Sequence, residues 1–228
     1  MSDTDKPATL ATSEGFDQRL RNVDEARWLA SRFAAPGARE RLVAAYLLNV
    51  ELRRALGASE AMLGKIRLQW WRETLEGVRE GKVRRHDLSE ELGRVFAGRA
   101  AGLAAAEALV DRVDDILDDH IHASGHADSE AHFNRHADAE AALVRLASLS
   151  LADDPSPAHV EALERRARAQ TAMVAEREGA AAQAAAARAA LKDVPSELIP
   201  AVAHYAGEGR PPLSMRWRIF RAILQKRA

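Results

Sequence analysis

One acidic stretch of the chain has the residue types and the spacing of a magnesium site. It runs from Asp111 to Asp119 and contains an Asp-Asp-x-x-Asp pattern at Asp114, Asp115 and Asp118. Residues three or four positions apart share a helix face, so these carboxylates could converge on one cation. Mg²⁺ prefers carboxylate oxygens of this kind, together with the phosphate oxygens of a substrate. The alternative is a solvated acidic helix face whose like charges repel one another.

Histidines gather immediately after this acidic stretch. They are His120, His122, His126, His132 and His136. His132 and His136 have the four-residue spacing that suits two ligands of one metal ion, but such a pair needs a third ligand and the sequence has no His-Glu-x-x-His pattern. Exposed histidines in a polar break explain the cluster more simply, so we predict no metal and no cofactor here.

Two adjacent tryptophans lie among arginines in a third stretch, at Arg67, Gln69, Trp70, Trp71 and Arg72. Cationic and aromatic side chains together can bind an anionic ligand or a protein partner. Successive residues of a helix point about 100° apart, so at most one tryptophan can face an interior cavity. The other is expected to pack against a neighbouring helix.

The last residues of the chain form a basic amphipathic segment. Its membrane-surface candidates are Arg216, Trp217, Arg218, Phe220, Arg221, Lys226 and Arg227. The helical spacing of its large apolar residues is typical of a helix that binds an anionic membrane surface. A terminal helix that docks on the core with its arginines in water fits the same pattern.

The composition excludes several classes of function. The 228 residues carry a formal net charge of −1, which disfavours a general nucleic-acid binder. The chain has no cysteine, which excludes disulfides, thiolate zinc sites and a cysteine nucleophile. We see no apolar run long enough to span a membrane and no leader-like start, so we expect a cytoplasmic protein, peripheral at most on the inner face of the membrane.

Apolar residues recur at helical intervals through most of the chain, and this predicts an all-α fold with one domain. We assign residues 1–22 to a disordered tail, 23–206 to the helical domain, and 207–228 to a linker and the basic helix. The predicted helices cover about 23–33, 38–56, 61–79, 89–96, 102–121, 130–151, 158–192 and 195–205, with Gly179 the weak point of the seventh.

The segment around the tryptophans resembles a known family signature. Residues 62–74 read Met-Leu-Gly-Lys-Ile-Arg-Leu-Gln-Trp-Trp-Arg-Glu-Thr, which is similar to Leu-Gly-Glu-Ile-Arg-Leu-Gln-Trp-Trp-Arg of the squalene/phytoene synthase family. Residues 28–36, 45–52 and 136–143 resemble three further family segments. The likeness implies a helical bundle of the isoprenoid-synthase type, shortened in its C-terminal half, with Tyr46, Asn49 and Gln69 lining the interior.

The resemblance also shows what this chain lacks. Family synthases join two prenyl diphosphates, and two acidic patterns on facing helices hold the Mg²⁺ ions that neutralise the leaving diphosphate. The first pattern falls on Arg53 and Gly57 here, and arginine cannot ligate a metal. The nearest acids for the second, Glu176 and Glu178, are two residues apart and on different faces.

A signature that is present beside acidic patterns that are absent is similar to a divergent branch of the family, which includes the mitochondrial respiratory complex I assembly factor. Residues 58–64, Ala-Ser-Glu-Ala-Met-Leu-Gly, resemble that branch's Val-Ser-Glu-x-x-Leu-Gly. We therefore predict a non-catalytic protein that binds a protein partner at a membrane, with respiratory-complex subunits implied by the resemblance. The predicted contact residues are Tyr46, Asn49, Arg53, Arg67, Gln69, Trp70, Trp71 and Arg72.

Two alternatives stay open. The first is a Mg²⁺-dependent prenyl transferase of isoprenoid biosynthesis that uses Asp114, Asp115 and Asp118 as metal ligands. The second is a protein that binds an isoprenoid or lipid tail in its interior. No nucleic-acid partner is expected under any of the three hypotheses.

Overall fold

A computed structural model describes residues 8–122 and 130–226 of the chain, and these residues form helices and their connections without a strand. The α-helices are α1 Ala8–Val23, α2 Glu25–Ser31, α3 Pro36–Leu56, α4 Ala61–Arg79, α5 Asp87–Val95, α6 Ala100–His122, α7 Glu130–Leu151, α8 Pro157–Val174, α9 Ala180–Ala190 and α10 Pro212–Gln225. Three short 3-10 turns, at Leu191–Asp193, Ser196–Ala201 and Ala203–Ala206, connect α9 to the linker before α10. The all-α prediction is confirmed.

Local sequence sets several helix boundaries. The Asp24 carboxylate accepts a hydrogen bond from the backbone N–H of Arg27 and so caps the start of α2. Pro36 and Pro157 occupy the first positions of α3 and α8, where a missing N–H costs nothing. Gly179 has a φ of 72°, and this left-handed residue separates α8 from α9 as its predicted weakness suggested.

The core centres on α3, which packs against α4, α5, α6 and α7. An unbroken run of its residues, Leu42 to Asn49, is buried, so nearly every face of this part of the helix is covered. Helix α7 packs on α3, α6 and α8 and contributes Leu143, Val144 and Leu146 to the same core. These two helices carry the side chains of the candidate site.

Helices α3, α4 and α6 approach closely at Gly64. A Cβ atom at this position would lie 2.6 Å from the carbonyl oxygen of Ala55 on α3 and 2.9 Å from Cδ2 of Leu117 on α6. Only glycine permits this spacing. The glycine of residues 62–74 is therefore a packing requirement.

The prediction of a disordered tail over residues 1–22 is wrong for its described part. Helix α1 covers Ala8–Val23, and Phe16 and Leu20 lie buried in the main core against the rest of the bundle. The segment is polar overall, and two apolar residues four apart were enough to dock it. Residues 1–7 lie outside the described part of the chain.

The predicted helix near 195–205 forms two 3-10 turns instead. Pro200 lies inside the first of them, and a proline there cannot donate the backbone hydrogen bond that a continuous α-helix needs. Helix α10 then returns to the body and packs against α2 and the second turn through Ile219 and Ala222.

Among the described residues, we find no helix with the length and apolar character that crossing a membrane demands.

Candidate functional site

A cavity of about 530 Å³ opens between α2, α3, α7, α8 and the last 3-10 turn. We call it the central cavity. Its wall includes Arg27 from α2, Asn49 and Arg53 from α3, Glu140 from α7 and Tyr205 from the turn. Val23, Val50 and Val174 are the apolar side chains of its lining, and the other lining residues are polar or charged. Polar and charged residues therefore outnumber apolar ones among the residues that line the cavity.

Glu140 is the centre of a hydrogen-bonded network in this wall. Its Oε1 accepts from Nη2 of Arg27 and, at 2.8 Å, from the hydroxyl of Tyr205, while its Oε2 accepts from Nη2 of Arg53 at 3.1 Å. Arg27 also donates to Asp24 at 2.8 Å. The Glu140 side chain is only 14% exposed and that of Arg27 18% exposed, so the network is largely sheltered from water.

Charge pairing sets the protonation of this network. Burial alone raises the pKa of Glu140, but the charges of Arg27 and Arg53 outweigh it and hold the pKa below its ordinary value. Burial and the Glu140 carboxylate raise the pKa of Tyr205 well above its usual range. At neutral pH, Glu140 is thus an anion, and Tyr205 is a neutral donor to it.

Asn49 and Tyr46 lie on the same side of α3 as Arg53. Asn49 lines the central cavity and accepts from Nε of Arg53 at 3.3 Å. Tyr46 is buried beneath the cavity, where the Arg27 guanidinium lies 5.7 Å from its ring centroid and its hydroxyl lies 3.4 Å from the carbonyl of Ala201. The fold therefore groups two of the predicted interior residues, Tyr46 and Asn49, with the predicted contact residue Arg53.

The tryptophan pair lies away from the cavity. Trp71 is buried and packs edge-on against Trp70 and His86. Its ring centroid lies 4.8 Å from that of Trp70 and 5.6 Å from that of His86. Trp70 is half-buried and also contacts His86. Their geometry is that of an aromatic packing cluster between α4 and the start of α5.

The interior placement predicted for Gln69 is wrong. Its side chain is exposed on α4 and forms a hydrogen bond of 3.1 Å with Glu73 one turn later. Arg67 is exposed too and reaches the carbonyl of Arg54 at 3.3 Å.

The acidic stretch on α6 pairs with cations of α4. Asp114 bonds Lys65 at 2.5 Å and Arg72 at 2.6 Å, and Lys65 also contacts Asp118 at 2.7 Å. Asp115 forms an ion pair with Arg112 on its own helix, with Oδ2 3.1 Å from Nη1. Burial raises the pKa of Asp114, yet its bonds to Lys65 and Arg72 lower it further than burial raises it. Asp114 and Asp118 therefore link α6 to α4 by ion pairs.

Three histidines of the cluster come together where α6 ends and α7 begins. His120, His132 and His136 each place one ligand atom within 4.8 Å of the others. Burial lowers the pKa of His136 to about 4, with smaller contributions from His132 and Arg53. The side chain of His122 and all of His126 lie outside what the structure describes.

Helix α10 presents a second apolar face to solvent. Leu213, Trp217, Phe220 and Leu224 recur at intervals of three and four residues and are 82%, 62%, 39% and 67% exposed. We call this set the apolar stripe. It lies opposite the buried residues Ile219 and Ala222. Arg227, also predicted for this surface, lies outside the described residues.

A basic cleft of about 670 Å³ adjoins the apolar stripe, and Trp217 lines it. Its arginines come from four elements and face one acid, Glu208: they are Arg166, Arg188, Arg210, Arg218 and Arg221. Burial lowers the pKa of Arg166 to about 10, and the charge of Arg188 adds to this. Arg216, in contrast, pairs with Glu25 on α2, and Lys226 caps α10 in a left-handed conformation.

A comparison of the sequence with models of protein families identifies the family of this chain. The squalene/phytoene synthase model matches residues 20–185, well over half of the chain. The chain belongs to the squalene/phytoene synthase family. The match runs from the end of α1 into α9, so it includes residues 62–74 and Glu140, while Tyr205 and α10 follow it. Neither a curated protein nor a solved structure gives a significant match.

Squalene/phytoene synthase chemistry uses Mg²⁺, and two groups of described carboxylates that could be considered for that ion are already paired with cations. Glu140 is bonded to Arg53, the residue that occupies one position of the first acidic pattern. Both oxygens of Glu140 are bonded to guanidinium groups. Asp114 and Asp118 are bonded to cations of α4 and do not line the central cavity. A divalent ion at either place would have to displace cations that are already there.

Sequence reasoning missed several members of the squalene/phytoene synthase-like site. Arg27, Glu140 and Tyr205 form the network, yet they lie far apart in the chain, and only the resemblance of residues 136–143 drew attention to Glu140. No pattern in the sequence indicates that Tyr205 meets α7. Arg166, Arg188 and Arg210 of the basic cleft were missed as well, because each lies on a different element.

Proposed function

We propose that this chain is a non-catalytic member of the squalene/phytoene synthase family that acts by binding, at an anionic membrane surface. The observation that carries the proposal is the position of Glu140. In the cavity where family enzymes gather carboxylates around magnesium, this carboxylate bridges Arg27 and Arg53. A guanidinium supplies only hydrogen-bond donors, so Arg27 and Arg53 suit an anion and cannot ligate a metal ion.

The membrane part of the proposal rests on α10. The apolar stripe is a set of large side chains that the fold leaves in solvent, and exposed patches of this kind mark interaction surfaces. Arg218 and Arg221 flank it, and the basic cleft adds three further arginines beside Trp217. Apolar insertion together with cations suits the surface of an anionic leaflet.

For the protein partner, we propose subunits or assembly intermediates of a membrane respiratory complex, complex I in particular. The support is the resemblance of residues 58–64 to the divergent branch of the family. Residues 62–64 of that segment lie at the start of α4, where Met62 and Leu63 are exposed. This surface and the apolar stripe are the two places where we expect protein and membrane contacts.

Turnover is the first test. The purified chain is incubated with Mg²⁺ and labelled farnesyl or geranylgeranyl diphosphate, and we expect no prenyl product. Product formation that Asp115→Asn abolishes would replace our proposal with the prenyl transferase hypothesis. An isoprenoid or fatty acid found by native mass spectrometry of the purified protein would favour the lipid-tail hypothesis.

Vesicle binding tests the membrane surface. We expect co-sedimentation with phosphatidylglycerol vesicles, weakened by salt, and none with phosphatidylcholine vesicles. Arg218→Glu changes the local charge by two, and at about 1 kcal/mol per cation near an anionic surface, binding should fall at least tenfold. Arg165→Glu makes the same charge change on exposed α8, away from the basic cleft, and should have little effect. Equal effects of the two variants would refute the assigned surface.

The apolar contribution and the partner need their own controls. Trp217→Ala should weaken vesicle binding, whereas Met62→Ala, which removes an equally exposed apolar side chain on α4, should not.

Cross-linking in membranes followed by mass spectrometry should recover respiratory-complex subunits with the wild-type chain. Recovery of isoprenoid-biosynthesis enzymes instead would contradict the proposed partner.

A further inference from the structure

We propose that His120, His132 and His136 form a site for one divalent transition-metal ion, with zinc as the best match, at the junction of α6 and α7. The sequence supplies a pair of histidines on α7, and the fold adds the third from α6. One ligand atom of each residue lies within 4.8 Å of the other two. Imidazole nitrogen is a preferred ligand of zinc, copper and nickel, and three histidines with an open fourth position form a known zinc arrangement.

The spacing is close to what a metal requires. With Zn–N bonds of about 2.0–2.1 Å in a tetrahedral site, ligand nitrogens lie about 3.3 Å apart. The rings of His132 and His136, on successive turns of α7, have centroids 4.6 Å apart, and those of His120 and His132 are 5.8 Å apart. His120 is exposed, so rotation of its side chain can bring its ring closer without moving the core.

Asp119 orients one of the three ligands. Its Oδ2 lies 2.7 Å from Nδ1 of His132, and its Oδ1 accepts from Nη1 of Arg135 at 2.6 Å. A carboxylate on one ring nitrogen fixes the tautomer of a metal-binding histidine and turns the other nitrogen toward the ion. The cluster therefore has the outer support that metal sites in proteins commonly have.

His136 supplies the second observation. Its Nε2 is buried and has no hydrogen-bond partner among the described residues, an arrangement that is rare for a buried polar atom. A bound ion would satisfy this nitrogen. Because His136 also lines the central cavity, the ion would lie at the cavity rim, close to Arg53.

Metal titration of the whole chain tests the site. The protein is produced without a polyhistidine tag, stripped with a chelator and titrated with ZnCl₂ by calorimetry. Co²⁺ serves as a spectroscopic probe, because a tetrahedral nitrogen site gives strong visible absorption. We expect one ion per chain, a raised thermal midpoint, and the Co²⁺ band.

Variants separate this site from other histidines. His120→Ala and His136→Ala should each weaken Zn²⁺ binding at least tenfold, and Asp119→Asn should weaken it 10- to 100-fold, as loss of an outer carboxylate does. His159→Ala, on α8 and outside the cluster, is the control and should bind as the wild type does. Circular dichroism of each stripped variant checks folding, and exposed His120 offers the substitution least able to disturb it.

Two results would overturn the proposal. One is the absence of saturable Zn²⁺ or Co²⁺ binding by the folded wild-type chain. The other is wild-type affinity in both His120→Ala and His136→Ala, which would place any bound ion elsewhere.

Discussion

Substitution of Glu140 by Gln tests whether the cavity network holds the bundle together. The change keeps the size of the side chain and an acceptor for the Tyr205 hydroxyl, but it removes the charge that Arg27 and Arg53 share. At an effective dielectric constant of about 20, unit charges at the 3.1 Å that separates Glu140 from Arg53 attract by about 5 kcal/mol. Desolvation of the carboxylate cancels part of this gain. Loss of one partner from a sheltered network typically costs about 3–5 kcal/mol, which we expect here.

Urea unfolding at pH 7.5, followed by circular dichroism, measures this loss. Glu161→Gln is the matched control, since Glu161 forms an exposed pair with Arg165 one turn along α8 and its loss should cost less than about 0.5 kcal/mol. In an Arg53→Gln background, the Glu140→Gln loss should shrink, because the two side chains share one interaction.

Acid should reduce the difference in the free energy of unfolding between wild type and Glu140→Gln. The pKa of Glu140 is lower in the folded chain than its ordinary value of about 4.3. A lowered pKa stabilises the folded state above that ordinary value, and the contribution disappears as pH falls through the folded pKa. A loss below about 1 kcal/mol at pH 7.5, or an equal loss at pH 7.5 and pH 3.5, would show that the network does not stabilise the fold as described.

Three further substitutions have defined outcomes in thermal or urea unfolding. Gly64→Ala should cost about 1–3 kcal/mol or more, because its Cβ meets a backbone oxygen, whereas Gly37→Ala near the start of α3 has room and should be neutral or stabilising. Trp71→Ala should cost about 3–5 kcal/mol and Gln69→Ala less than about 0.5 kcal/mol, a ranking that equal losses would contradict. Burial raises the pKa of Asp114, but its bonds to Lys65 and Arg72 lower it further. Asp114→Asn should therefore cost about 1–2 kcal/mol at pH 7.5, and less as pH falls through the lowered pKa of the folded state. A rise in wild-type melting temperature with Mg²⁺ that this variant loses would instead support a magnesium site.

Long elements with clear ends could be predicted from the sequence. The predicted bounds of α4 and α7 agree with the structure, and α3 differs only at its start. Sustained apolar periodicity and flanking prolines or glycines determined them. In the part of α1 whose side chains the structure describes, Phe16 and Leu20 are the buried apolar residues, so the local pattern gave too little information.

The candidate site was harder to predict because its members meet through tertiary packing. Asn49 and Arg53 were found, since they follow Tyr46 along one side of α3. The partner of Arg53 lies 87 residues away on α7, and that of Lys65 lies 49 residues away on α6. Such pairings depend on how helices dock, which residue spacing does not encode.

The same limit applies to the histidines. Spacing within α7 indicated His132 and His136, but only the contact between α6 and α7 adds His120. In the tryptophan pair, the 100° turn between neighbours predicted that at most one ring would face the cavity, and Trp71 is buried while Trp70 is half-buried. It did not indicate that both would turn toward His86 and away from the central cavity.

Close contact at Gly64 and burial of Trp71 have a consequence for genome surveys. Two residues of the family signature have packing roles in this protein: Gly64 permits the close approach of three helices, and Trp71 is buried. A signature of this kind indicates the inherited fold, and it can be retained when the residues of the active site change. Surveys that infer terpenoid-forming capacity from the signature alone therefore rely on residues with a packing role, and the charges around the cavity are the more direct criterion.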